Sequence, residues 1–366
     1  MQGKLNLILL TATFILLISL FSSFKTGQSE PVPVFLIDTT LEKSFTVTGV
    51  GDMMFGTTFP SPRFLPPHDN PLMLVENLAD SLASSDITFG NLEGSFLDDG
   101  EPFKKCRDTN ICYLFRMPER YATVLEHCGF DFISLANNHF GDFGWPAVTT
   151  TRRLLDSMEI RYAGNPENLY SIIEKDSVKY GFCAFSPTAG APDINDIPKA
   201  EELVKYLSSQ CDIVIVSFHG GAEGSDYQRV TRSVEQFYGE SRGNVYEFAH
   251  RMIDSGADII FGHGPHVARA VEVYNGRFIN YSLGNFCTYG RFNISGANGI
   301  APIMRVTVNK EGKFLSGRII PVYQGNDGVR FDPSGRVINK IRELTGLDFP
   351  ETDLIITPEG DIFNKN

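Results

Sequence analysis

Histidines, carboxylates and carboxamides recur in this sequence directly after short apolar runs. Asp52 follows Val50-Gly51, and Asn91 and Glu93 follow Ile87-Thr88-Phe89-Gly90. Asn137, Asn138 and His139, with Asp142 close behind, follow the run from Phe130 to Leu135. His219 and Glu223 follow Asp212–Phe218, and His263 and His266 follow Asp258–Gly262. Neutral imidazole is the commonest metal ligand, and with carboxylates and a carboxamide it makes an N/O set suited to zinc, manganese, iron or similar divalent ions. No CxxC pair occurs, so a thiolate zinc site is not indicated. Taken singly, each group has an ordinary use. Asp52 could form an Asx turn, Glu93 a surface charge, Asn137 and Asn138 a loop, and the HxxH pair a turn. Repetition at five strand ends is what points to a shared cation.

For these groups to meet, their strands must end along one edge, as happens in open α/β sheets, where ligands bind past the carboxyl ends. Ser44–Val50, Asp86–Phe89, Phe130–Leu135, Asp212–Phe218 and Asp258–Phe261 read as strands, several of them continuous apolar runs of the buried kind. Helical periodicity covers Asn70–Ser84, Pro118–Cys128 (closed by Gly129), Pro146–Met158, Pro198–Ser209 and Arg242–Ser255 (stopped by Gly256). Residues 170–186 read as two strands turning at Asp176. Ala268–Tyr274 and Arg277–Leu283 form a hairpin across Asn275-Gly276, whose exit carries Asn285. Val306–Val308 and Phe314–Val322 add strands across Gly312, and the pattern is weak after about residue 326. The reading is a mixed α/β (α+β) chain, two sheets packed face to face with helices outside.

The chain of 366 residues carries a formal net charge of −12 with no basic stripe, so no nucleic-acid partner is expected. Lys4 precedes an apolar run from Leu5 to Phe21, followed by Phe24 and Lys25, the pattern of a secretory segment close to bilayer-spanning length. Residues 1–25 are therefore expected to be an uncleaved signal anchor, or a cleaved leader, and residues 26–43, with Pro31 and Pro33, a linker. Either outcome places the body outside the cytoplasm, attached to the membrane or secreted. Cys106 and Cys112, in one polar loop, are the disulfide candidates, whereas Cys183, Cys211 and Cys287 sit in or beside apolar runs as small hydrophobes.

The blocks Val50-Gly51-Asp52-Met53-Met54-Phe55-Gly56, Gly90-Asn91-Leu92-Glu93, Leu135-Ala136-Asn137-Asn138-His139, His219-Gly220-Gly221-Ala222-Glu223, Gly262–Val267 and Tyr281–Phe286 resemble the CapA family of bacterial capsule and poly-γ-glutamate synthesis proteins. That family is in turn similar to calcineurin-like metallophosphoesterases, so the resemblance implies a four-layer α/β/β/α sandwich around one or two divalent metal ions. It implies one such domain over residues 44–325 and a carboxy-terminal extension over 326–366. By the same resemblance Asp52, Glu93, Asn138, His219, His263 and His266 are the metal ligands, and His139 acts on the leaving group. Asn91, Asn137, Asp142, Glu223 and Asn285 are expected around them as orienting or substrate-facing groups. Asp142 and Glu223 could equally be surface ion-pair partners, and Asn285 could simply shape its turn. Arg229, Arg232 and Arg242 could receive an anionic substrate or lie in a solvated loop.

Two departures stand out. Met54 occupies the place where the phosphoesterase pattern has a histidine, and Glu93 the place of a bridging aspartate. Two ions about 3.5–4 Å apart would generate a hydroxide and clamp an oxyanion, chemistry that serves phosphate esters and amides alike. The resemblance thus implies a metal-dependent hydrolase or transferase of surface-polymer production, with an anionic substrate and capsule-synthesis proteins as partners. The alternatives are a non-catalytic polymer-binding component of the same fold and a general cell-surface phosphoesterase.

Overall fold

Parity along the buried strands sorts the apolar side chains into layers. Ile213 and Ile215 face one side of their strand, and Val214 and Val216 the other. Ile259 and Phe261 likewise oppose Ile260, and Phe132 opposes Ile133. A computed structural model, describing residues 43–105 and 112–365, gives the arrangement that results. The larger sheet runs Leu354–Ile356, Asp361–Asn364, Phe314–Gly325, Ile300–Asn309, Ser44–Met54, Ile87–Leu92, Phe132–Ser134, Arg161–Ala163. Asn285–Thr288 also pairs with Ser44–Met54, and Gly328–Phe331 with Phe314–Gly325. The smaller sheet runs Val271–Tyr274, Arg277–Asn280, Ile259–His263, Ile213–His219, Val178–Phe185, Tyr170–Lys175.

Between the sheets lie Phe45, Val47, Phe89 and Phe132 from one and Phe182, Ile215, Phe261 and Phe278 from the other. Phe89 and Phe261 stack across this layer with ring centroids 5.5 Å apart. Leu125 and Leu155, on Thr123–His127 and Gly144–Ser157, cover the outer face of the larger sheet. Val204, Leu207, Phe248 and Met252, on Ile197–Gln210 and Val245–Asp254, cover that of the smaller. The order α/β/β/α expected from the resemblance is therefore present. At about 1.5–3 kcal/mol per fully buried large apolar side chain, this middle layer outweighs the exposed ion pairs, worth about 0–1 kcal/mol each.

Several elements differ from their sequence patterns. The first strand does not stop at Val50 but continues to Met54, because Asp52 is paired in register with both Asn91 and Asn285. Asn70–Ser84 is not one helix. A 3₁₀ turn at Pro71–Leu74, begun by the Asn70 side chain accepting from the Leu72 N–H, stops where Val75 takes φ −127°, and the α-helix spans only Ala79–Ala83. The weakly patterned end forms Gly328–Phe331, helix Arg336–Asp348 and the hairpin Leu354–Ile356/Asp361–Asn364. Its strands complete the larger sheet, and its helix buries Val337, Ile338 and Ile341, so it belongs to the same compact unit as residues 43–325.

The expected amino-terminal anchor or leader at 1–25, the expected linker at 26–43 except its last residue, and Cys106 lie outside the described residues. Cys112 is disulfide-bonded, while Cys128, Cys183, Cys211 and Cys287 are free. Among the described residues no helix is long and apolar enough to cross a membrane.

Candidate metal centre

Strand register brings the chemistry-bearing residues together. In the larger sheet Asp52 stands beside Asn91 on one side and Asn285 on the other. In the smaller sheet His219 and His263 are direct partners on adjacent parallel strands. Phe89 holds an edge against His263, their rings 5.5 Å apart, so the inter-sheet core itself positions that imidazole. The loop after His263 crosses tightly over the loop after His219. A Cβ on Gly264, at φ +111°, would come within 2.8 Å of the Gly220 carbonyl oxygen, which only glycine avoids.

A hydrogen-bonded relay ties the larger-sheet residues into one unit. Asn91 Nδ2 donates to Asp52 Oδ1 at 2.9 Å and to Glu93 Oε2 at 2.8 Å. Asn137 Nδ2 donates to Asn91 Oδ1 at 3.1 Å and to the Leu92 carbonyl at 2.8 Å. Asn137 Oδ1 accepts the His139 and Phe140 backbone N–H groups at 3.1 and 3.0 Å. His139 Nδ1 reaches Asp142 Oδ2 at 2.8 Å, and its ring packs on Phe115 with centroids 4.3 Å apart. Lys104 donates to the Asn138 carbonyl at 2.9 Å and lies 3.4 Å from Asp142. Asp142, wholly buried, is therefore a partner of His139 and not a surface charge.

Ligand atoms of Asp52, Glu93 and His219, all buried, lie within 4.8 Å of one another. His263 Nδ1 is 3.3 Å from Asp52 Oδ1, and His219 Nδ1 is 3.5 Å from Glu93 Oε2. Both ring nitrogens of His219 and of His263, Glu93 Oε1, Asn138 Oδ1 and Asn285 Oδ1 are buried without a hydrogen-bond partner. Orphaned buried polar atoms each cost about 1–3 kcal/mol. A cluster of buried carboxylate, carboxamide and imidazole atoms left unsatisfied in this way fits a cation. Residues present therefore suit a divalent ion held by N and O donors.

Electrostatics agree with that fit. Burial, then the charge of Asp52, raises the Glu93 carboxyl well above the usual range. Burial, then the Arg242 guanidinium, pushes His219 well below its ordinary value, leaving a neutral imidazole able to ligate. For Asp52, burial works toward protonation, but the imidazoles of His263 and His266 beside it prevail and hold it below the usual carboxylate range. His266, at φ +58°, has Nδ1 2.9 Å from Asp52 Oδ2. Although burial disfavours its charge, the Asp52 bond and the nearby carboxylates push it up to about 10.

The same geometry accompanies a match in sequence. Residues 46–289 match the model of the family described as "Bacterial capsule synthesis protein PGA_cap". The chain belongs to this family. It is 28% identical over 264 residues to the capsule biosynthesis protein CapA of Bacillus anthracis, covering 67% of this chain and 60% of that one. It is 27% identical over 307 residues to the PGA biosynthesis protein CapA of Bacillus subtilis, covering 78% of this chain and 73% of that one. The chain thus spans 60% of the length of the first relative and about three quarters of the second. Among solved structures, a 5'-nucleotidase precursor from Thermus thermophilus superposes at TM-score 0.44 with 11% identity, over 77% of this chain and 54% of that one.

Within this PGA_cap member the family pattern meets its departures. Met54 is fully buried in the apolar cluster with Phe55, Leu74 and Phe286, and its sulfur accepts the Gly56 N–H at 3.3 Å. Its side chain is core, not ligand. Glu223 is no free surface charge either. It pairs with the buried Arg242 at 2.9 Å and approaches His266 Nε2 at 3.9 Å. Arg229 and Arg232 clamp the carboxy-terminal segment through Asp348 and Glu351. Asn285 shapes its turn and lines the centre at once, its Nδ2 donating to the Asn298 carbonyl at 3.2 Å.

One supporting pair escapes pattern reading. Arg269, fully buried, forms a bidentate pair with Glu235 at 2.8 Å on both arms and also donates to the Tyr227 and Ala222 carbonyls. Glu235 in turn accepts the Ala222 N–H at 2.8 Å. This pair fixes the loop that carries Glu223. No local pattern marks it, since its partners lie in different loops.

Proposed function

We propose that this protein is a metal-dependent hydrolase or transferase of bacterial surface-polymer production, acting on a phosphoester or a γ-glutamyl amide outside the cytoplasm. What carries the reading is the buried cluster Asp52, Glu93 and His219, surrounded by polar atoms that no protein group satisfies. Asp52, Glu93 and His219 would hold the ion, with His263 and Asn138 offering further donors. Bound there, a divalent ion supplies Lewis acidity and a water more acidic than bulk.

The chain's own residues do the rest. Asn91 fixes the two carboxylates relative to each other, and Asn137 ties the His139 loop to them. With Nδ1 held by Asp142, His139 keeps Nε2 for a proton delivered to the leaving oxygen or nitrogen. Glu223, held by Arg242, steadies His266. Family membership supports the polymer setting. The apolar segment after Lys4 supports a membrane-attached site of action, which protease accessibility of the carboxy-terminal region on intact cells would test.

Metal content of the purified protein, measured with turnover of phosphoester and γ-glutamyl substrates, tests the reading. Stoichiometric metal with turnover lost in Asp52→Asn and His263→Ala supports it; a protein free of metal, or turnover that survives both changes, overturns it. A second reading, binding of polymer without catalysis, is favoured by Met54, which leaves the centre one donor short of the phosphoesterase pattern. Polymer retained by metal-binding but turnover-free protein would select it.

A further inference from the structure

A cavity of about 470 Å³ opens beside the candidate centre, with Asn137, Asn138 and Lys104 in its wall. That volume falls within the ~300–1,000 Å³ of small-ligand sites. It is built by close approach of two loops. Gly164, at φ +109°, lies so near Ala136 that a Cβ there would come within 2.6 Å of it, which brings Asn165 against the His139 loop.

Its lining is mostly apolar, with Phe140 and Val148 inside and two exposed rings, Phe103 and Trp145, in the wall. Phe103 and Lys104 are held there because both their N–H groups donate to the Asp142 carbonyl, at 2.9 and 3.0 Å. Two charged side chains line the cavity among the described residues, and each is already paired. Lys104 lies against Asp142, and Glu167 against Arg152. A polyanion would find no uncommitted cation in this wall.

One polar atom in this wall has no other use. Asn165 is 4% exposed; its Oδ1 accepts the Glu167 and Asn168 N–H groups, while its Nδ2 donor is buried without a partner. A purely aliphatic occupant would leave that donor unsatisfied, at about 1–3 kcal/mol. A pyranose ring suits the whole wall, because its C–H face is apolar enough to lie on an aromatic ring and its hydroxyls accept.

We propose that this cavity is a subsite for a neutral sugar ring, with Trp145 as its platform and Asn165 as its hydrogen-bond donor. Ring binding stands on the cavity alone. Its role as the subsite next to the scissile bond rests on the hydrolase or transferase reading.

Trp145 is the one tryptophan in the sequence, so intrinsic fluorescence reports this cavity directly. Titration of the full chain with N-acetylglucosamine and its β-1,4 disaccharide is expected to give a saturable change in emission. Asn165→Asp keeps the turn acceptor and removes the donor, and is expected to weaken binding about tenfold. Trp145→Ala, at an exposed position, is expected to abolish the saturation-transfer NMR signal of the sugar while the fold persists by circular dichroism.

Asp52→Asn and His219→Ala are expected to bind sugar as the parent does, which separates this proposal from the metal reading. Saturable binding of a γ-glutamyl oligomer, adenosine or leucine amide in place of the sugar would overturn the assignment. So would no response to any probe, or sugar binding unaffected by Asn165→Asp and Trp145→Ala.

Discussion

Nδ1 of His139 lies 2.8 Å from Oδ2 of Asp142, and that same oxygen accepts the Phe115 backbone N–H at 3.0 Å. The carboxylate is wholly buried, so the imidazole is locked in orientation by a group that solvent cannot compete for. His139→Ala is expected to lower turnover about 10²–10⁴-fold with metal content unchanged. Asp142→Asn is expected to lower kcat and alter the pH–rate profile while sparing KM. Parent-level turnover in His139→Ala would remove this residue from the chemistry.

Metal binding should register as stability, because an ion that satisfies the orphaned donors binds the folded chain alone. At free metal of 100 times Kd the gain is about 2.7 kcal/mol. Calorimetry of chelator-treated protein before and after adding zinc or manganese is expected to show the rise in Tm. Asp52→Asn and His219→Ala are expected to abolish it.

Restoring a histidine at position 54 should not restore a second ion. Met54 is packed among apolar side chains, so the imidazole of Met54→His would be buried without a partner. A loss of about 1–3 kcal/mol is expected by denaturant titration, with no gain in metal per chain by elemental analysis. A second equivalent of metal in this variant would refute the placement.

The Arg269–Glu235 pair is expected to matter far more than its distance from the centre implies. Glu235→Gln leaves a fully buried guanidinium without its counter-charge, and about 3–5 kcal/mol should be lost in urea unfolding. Because the Ala222 N–H loses its carboxylate partner too, activity in the surviving folded fraction should also fall.

Asp258 sets a pH dependence away from the centre. Burial pushes its carboxyl up to about 6, against the Val214 N–H at 2.8 Å and Arg277 at 3.0 Å. A folded value above the unfolded 3.8 means the native state holds the proton more tightly, so stability falls as pH rises from about 4 to 6 and is level above. The span is about 3 kcal/mol. Asp258→Asn is expected to flatten that part of the stability–pH curve, and an unchanged slope would refute the assignment.

Strand ends, parity and motif blocks made much of this molecule legible in one dimension. A run such as Asp212–Phe218 can be buried on both faces only in a covered sheet, and a histidine directly after it must emerge at that sheet's edge. Five such ends marked out candidate ligands at the strand edges, while the layer order came from the family resemblance. Local pattern failed where burial comes from several directions at once. Leu74, Val75, Leu78 and Leu82 are all buried, yet the backbone between them is a turn and a short helix, since side-chain spacing alone does not dictate the path between.

Tertiary structure alone decided which polar groups meet. Parallel pairing of Ser44–Met54 with two neighbours placed Asn91 and Asn285 either side of Asp52, a choice no spacing encodes. Packing decided that Met54 is core, that Arg229 and Arg232 serve the carboxy-terminal segment, and that Arg269 meets Glu235. Hydrogen bonds and ion pairs between distant loops depend on where two backbones cross, and that follows from the whole hydrophobic core and not from either segment.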